Sequence, residues 1–100
     1  MTTGKEMANT ILAQLGGNKF IAMTGSKNFA YSDNTLSFRV GRNAKNISGV
    51  RITLNGKDLY DVQYLKIRGV KVTVAVEEND IYWDMLQVSF TKNTGLDTHL

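Results

Sequence analysis

The sequence predicts an α+β domain: a short N-terminal helix, a four- or five-stranded antiparallel meander sheet, and a C-terminal helix packed on one sheet face. Three observations predict it. Apolar residues recur at helical spacing near the two ends of the 100-residue chain. Runs rich in β-branched residues lie between them. Two glycine-containing dipeptides, Asn55-Gly56 and Arg68-Gly69, then divide the longest run, "VRITLNGKDLYDVQYLKIRGVKVTVAV", into pieces of strand length.

The first helix opens with Thr3 and Glu6 at capping-box spacing, and Met7, Ile11, Leu12 and Leu15 follow on one helical face. Gly16-Gly17 stops it. The next stretch, "KFIAMT", is apolar and compatible with β-structure, so residues 19–24 are expected to form a strand that turns at Gly25-Ser26. A Walker-type phosphate loop does not fit here, because that pattern needs Gly and Lys adjacent and Ser26 separates Gly25 from Lys27.

In "TLSFRV", residues 35–40, Leu36, Phe38 and Val40 share one strand face and Ser37 and Arg39 the other. Asn55-Gly56 reads as a two-residue hairpin loop, since a type I′ turn needs positive φ at both central positions. That loop pairs Leu54 with Lys57, Ile52 with Leu59 and Arg51 with Tyr60. Read in the same way, Arg68-Gly69 pairs Ile67 with Val70, Leu65 with Val72, Lys66 with Lys71 and Tyr64 with Thr73. Both registers place Val50, Ile52, Leu54, Leu59, Leu65, Ile67, Val70, Val72 and Val74 on a core face. Arg51, Thr53, Tyr60, Val62, Tyr64, Lys66, Lys71 and Thr73 fall on the opposite, open face. Asp61 is the misfit, turned inward toward Val50, and requires a bulge near residues 61–63 or an edge position.

Asn79 and Asp80 are expected to cap a last helix over residues 81–93, with Glu77, Glu78 and Asp84 at its positive end, Lys92 in its last turn and Gly95 as its stop. Its apolar circumference exceeds what one sheet face can bury, so part of it should meet the first helix or a second protomer.

With 42% hydrophobic and 21% charged residues, the chain has the make-up of one globular domain, residues 1–100. It carries no apolar run of membrane-spanning length and no secretion leader, so the expected location is the cytoplasm. Without cysteine, disulfides, thiolate zinc sites and cysteine nucleophiles are excluded. The single histidine, His99, stands beside the C-terminus, and Asp58 and Asp61 fall on opposite strand faces. No catalytic residue, metal site or cofactor is therefore expected, and the protein is read as a non-enzyme.

The net charge of +3 conceals an asymmetry. Residues 1–76 hold eleven Lys/Arg against four acids, a balance of +7, while residues 77–100 hold Lys92 against five acids, a balance of −4. A basic body attracts polyanions. On the open face, Lys66 directly across from Lys71 is destabilising unless an anion lies between them. Arg51 beside Tyr60, with Tyr64 close by, offers surfaces on which bases stack, and Arg39, Arg42 and Lys45 extend the basic character. The expected function is binding of nucleic acid, single-stranded DNA in particular, through Arg39, Arg42, Arg51, Tyr60, Tyr64, Lys66 and Lys71. The bland alternative is an ordinary solvated sheet face. A competing expectation is a protein-binding inhibitor or adaptor, in which the acidic last helix docks on a basic host protein with Trp83 as anchor and Tyr82 and Val88 beside it.

At "LGGNKFIAMTGSKNF", "DNTLSFRVGRN", "VRITLNGKDLYDV" and "FTKNTGL" the chain resembles, over nearly its whole length, a group of small bacteriophage and mobile-element proteins with no assigned activity. The resemblance implies a bacterial host cytoplasm or phage setting and carries over no catalytic residue. Proteins of that setting are often nucleic-acid binders or inhibitors of host defence. The order of elements is also loosely similar to folds in which a curved sheet and a dimerising helix bind single-stranded DNA, so a homodimer is expected.

Overall fold

The computed structural model describes residues 4–96. Its elements are α1 (Gly4–Leu15), α2 (Gly17–Thr24), β1 (Lys27–Tyr31), β2 (Thr35–Arg39), β3 (Gly49–Leu54), β4 (Tyr60–Arg68), β5 (Lys71–Ile81), a 3-10 turn (Trp83–Met85) and α3 (Leu86–Thr94). The strands form one antiparallel meander in sequence order. The helices cover one of its faces, giving the α+β architecture that the periodicities predict. Ile11 and Leu15 of α1, Phe20 of α2 and Leu86 and Phe90 of α3 pack on Leu36, Phe38, Val50, Ile52, Val62 and Tyr64 of the sheet.

α1 buries Met7, Ile11 and Leu15 as its spacing predicts. Thr3 of the expected capping box and His99 lie outside the described residues. Residues 19–24, expected as a strand, instead form α2. Gly16 and Gly17, with φ of 127° and 62°, break the first helix and restart the chain in a new direction. An eight-residue helix is too short to stand alone. Full burial of Phe20, worth about 1.5–3 kcal/mol, holds it in place. That ring meets Phe38 edge-on at 5.6 Å and Phe90 at 4.9 Å.

The first hairpin also departs from the expected register. Leu54 pairs with Tyr60, Ile52 with Val62 and Val50 with Tyr64, so the loop has five residues, 55–59. The cause is the Asn55 side chain, whose Oδ1 accepts from the backbone N–H groups of Lys57 (2.8 Å) and Leu59 (3.2 Å). The backbone N–H of Asn55 reaches the Leu59 carbonyl at 2.8 Å and closes the wider loop. A shift by an odd number of residues turns every side chain of β4 over. Tyr60, Val62 and Tyr64 therefore point into the core, and Asp61 moves to the open face beside Thr53. The second hairpin shifts by an even number: Arg68 pairs with Lys71 around Gly69-Val70, and Lys66 faces Thr73 rather than Lys71.

The last helix is present, but the cap expected for it is overturned. β5 continues to Ile81, and helical structure begins only at the 3-10 turn. Asn79 and Asp80 are not a cap. They form an irregularity opposite Asp61, where Asp80 takes a φ of 58° and its N–H donates to Asp61 Oδ1. The alternating valines at 72, 74 and 76 carry the strand past the point where the acids suggested a helix. Gly95 does end α3, in the left-handed conformation.

Candidate nucleic-acid interface

The β4–β5 hairpin outruns the helices. Beyond Tyr64 and Leu65, which are buried, residues 66–75 are exposed apart from half-buried Ile67. Pairing of Lys66 with Thr73 and of Arg68 with Lys71 sets these four side chains on the helix-bearing face of this arm. Ile67, Val72 and Val74 take the open face, and fully exposed Val70 sits at the tip. Arg68 directly opposite Lys71 is a like-charge pair, destabilising unless an external anion lies beside it.

Residues 40–48 join β2 to β3 at the same end of the sheet. Asn43 organises them: its Nδ2 donates to the carbonyls of Gly41 (2.9 Å) and Ile47 (2.7 Å), and its Oδ1 accepts from the Ile47 N–H at 3.0 Å. Val40 and Ile47 plug into the core, and the Gly41 N–H donates to the Thr24 carbonyl at the end of α2, at 2.9 Å. A Cβ on Gly41 would stand 3.0 Å from that carbonyl oxygen, so the close approach needs glycine. The loop is thus pinned by its interior residues, and Arg42 and Lys45 are left exposed.

Between this loop and the arm lies an open cleft of about 390 Å³, lined by Arg39, Arg42, Lys66 and Arg68 together with Asn43, Asn46 and Ser48. No carboxylate lines it. Among the described residues the ion pairs are Lys57–Asp80 and Lys92–Glu78, and neither draws on the cations of the cleft.

The opposite end of the sheet carries the acids. Asp33 lies in the β1–β2 turn, Asp58 in the β3–β4 loop, and Asp61 and Asp80 at the adjoining ends of β4 and β5. Asn55 Nδ2 donates to both Asp61 (3.1 Å) and Asp80 (2.9 Å), and Lys57 Nζ reaches Asp80 Oδ2 at 3.1 Å. Beside them, Tyr82 and Trp83 are each 62% exposed, and Met85 and Val88 are also open to solvent.

A polar network inside the fold ties α3 to the sheet. Tyr64 OH and Ser89 Oγ are 2.8 Å apart, Ser89 Oγ donates to Glu78 Oε1, and Lys92 and Asn93 also donate to the Glu78 carboxylate. Burial pushes the Tyr64 hydroxyl up to about 12, against the smaller pull of Ser89 and Asn93. Burial also opposes ionisation of Glu78, yet the hydrogen bonds from Lys92, Ser89 and Asn93 together outweigh it and hold the carboxyl below its usual range. Tyr60 is raised by burial.

The residues named from the sequence are therefore divided. Arg42 and Lys66 line the cleft, Arg39 borders it from the open face, and Lys71 stands on the arm beside Arg68. Arg51 is exposed mid-sheet on the open face, where its Nη1 donates to Gln63 Oε1 at 3.3 Å. Tyr60 and Tyr64 are buried on the other face and stack on nothing external, so the flat docking face expected from the sequence does not exist. Trp83, Tyr82 and Val88 are exposed: Tyr82 follows β5, Trp83 opens the 3-10 turn and Val88 lies on α3, while Glu77, Glu78 and Asp80, expected to make that end of the helix acidic, lie on β5. Arg68 and Asn43 were missed. The Arg68 signal was the one-residue choice between Arg68-Gly69 and Gly69-Val70 as the loop.

Among the described residues, no group of three or more His, Cys, Asp or Glu is placed to hold a metal ion, and no helix is long and apolar enough to cross a membrane. The chain matches no family model, no curated protein and no solved structure.

Proposed function

We propose that this is a non-enzymatic nucleic-acid-binding protein whose phosphate-binding surface is the cationic end of the sheet and not its open face. One observation carries the reading: Arg42, Lys66 and Arg68 line an open cleft without a carboxylate, Arg39 borders it from the open face, and Lys45 and Lys71 stand at its margins. Such a cluster stores repulsion that a phosphate backbone relieves, and the counterions released make binding steeply salt-dependent. The bacteriophage setting implied by the four resembling strings is part of the same proposal.

Titration of a labelled oligonucleotide at increasing salt tests it. Contact by four to six cations predicts a slope of log K on log[salt] of roughly −3 to −5. Arg42→Glu with Lys66→Glu should abolish binding. Binding that ignores salt, or none at low ionic strength, removes the reading.

A second reading is favoured by a separate observation, the exposure of Tyr82, Trp83, Met85 and Val88 next to Asp80 and Asp84. It is a protein-docking surface for a basic partner, the inhibitor or adaptor role. Capture of a partner that survives nuclease treatment and is lost in Trp83→Ala supports it. Capture that disappears with nuclease refutes it.

A further inference from the structure

We infer that the nucleic acid taken by the cationic end is B-form duplex DNA, entered through the major groove by the β4–β5 arm; this rests on the nucleic-acid reading above. Proteins that bind single strands offer rings on which bases stack. The cleft and the arm offer none: Tyr60 and Tyr64 are buried, and no aromatic side chain lines the cleft or occurs in residues 65–76.

What this end presents instead is a two-stranded ribbon, the form of β-structure that a major groove about 12 Å wide admits. From buried Leu65 to the loop at Gly69-Val70 the arm advances about 13 Å, at roughly 3.3 Å per residue. The groove is only about 8.5 Å deep, so the tip reaches the base edges.

The side chains are distributed to suit that pose. Lys66 and Arg68 line the cleft with Lys71 beside Arg68, and Arg42 stands across it, so one phosphate backbone lies between loop and arm while the arm occupies the groove beside it. Ile67, Val72, Val74 and the tip residue Val70 carry neither charge nor hydrogen-bonding groups, and apolar side chains of this kind contact the thymine methyl. In A-form RNA the major groove is deep and too narrow to be read, so duplex RNA is excluded on shape.

Anisotropy titrations with duplex DNA, single-stranded DNA and duplex RNA of equal length test the inference at low salt. Duplex DNA should bind roughly tenfold or more tightly than either of the others. A duplex whose cytosines carry a glucosylated C5-hydroxymethyl group, which fills the major groove, should lose about that factor. Arg68→Ala with Lys71→Ala, both on the exposed arm, should bring duplex and single strand to near parity, whereas Arg42→Ala should weaken both alike. Equal or tighter binding of single-stranded DNA or duplex RNA overturns the inference and leaves nucleic-acid binding standing, as does unchanged affinity for the glucosylated duplex. Absence of binding to all three overturns both.

Discussion

The β3–β4 loop and the β4–β5 loop close two hairpins that share a strand, at opposite ends of the sheet. In the first, Asn55 bonds to two backbone N–H groups and to the carboxylates of Asp61 and Asp80, and Lys57 pairs with Asp80. Its charges are largely answered from within. In the second, Arg68 faces Lys71 across Gly69-Val70, with no carboxylate in the adjoining cleft. The difference separates charge that serves the fold from charge left for a partner. Both ends are polar in sequence, yet only the second sets like charges directly opposite each other.

The comparison depends on β4 turning its tyrosines inward, and the largest expected effect tests that. Tyr64→Ala should cost about 3–5 kcal/mol in urea unfolding, the range for large aromatic residues removed from a core. A loss below about 1 kcal/mol would place Tyr64 on the surface and return the first hairpin to the register of a tight two-residue loop. Next in size is Asn55→Ala, expected to destabilise by about 1–2 kcal/mol through hydrogen bonds to charged groups and to the loop backbone. The matching change in the other loop, Val70→Ser, should stay within about 0.5 kcal/mol, because nothing packs on that side chain. Equal effects at the two loops would erase the distinction.

How far the sequence reveals the fold follows from the same hairpins. The meander, the outer helices and the loop positions are legible, because they depend on periodicity and on glycine. The register is not, because Asn55 closes a wider loop with its side chain, an option that the Asn-Gly rule does not contain. A corrective signal was nonetheless present. In Tyr60-Asp61-Val62-Gln63-Tyr64 polar and apolar residues alternate, and that alternation by itself sends the tyrosines inward and Asp61 outward. The misfit of Asp61 was the mark of the wrong register. α2 was hidden for another reason: its eight residues have little intrinsic preference, and the burial of Phe20 between Phe38 and Phe90 decides its form. The cationic cleft depends on residues 40–48 folding back beside β4, a contact between segments distant in sequence that no local pattern encodes.

The network behind β4 gives the comparison a pH dependence of smaller size. Glu78 has a folded-state pKa below its ordinary 4.5, so its contribution is complete above about pH 4.5 and is lost as pH falls through the lowered value. Tyr64 is raised from 10.0 to about 12, so its contribution is complete below pH 10 and is lost as pH rises toward 12. Glu78→Gln should flatten the acid limb of the stability curve measured by urea midpoints. Tyr64→Phe should flatten the alkaline limb, with Tyr60, also raised, keeping its own share. Unchanged limbs in both variants would detach this network from the stability of the shared strand.

The smallest effect is the most telling in sign. If the arm carries charge for a partner at the expense of its own stability, removing that charge should stabilise the free protein. Arg68 and Lys71 are exposed and directly opposed, a pairing that costs about 0.2–1 kcal/mol when the charges are alike. Arg68→Ala should therefore raise the urea midpoint slightly at low salt. The gain should shrink as salt screens the pair, since the Debye length falls from about 30 Å at 0.01 M to about 3 Å at 1 M. In the same variant the affinity for nucleic acid should fall. A substitution that strengthens the fold while weakening binding marks a residue kept for its partner. Loss of stability on Arg68→Ala at every salt concentration would instead make Arg68 a structural residue like Asn55, and the two loops would no longer differ in kind.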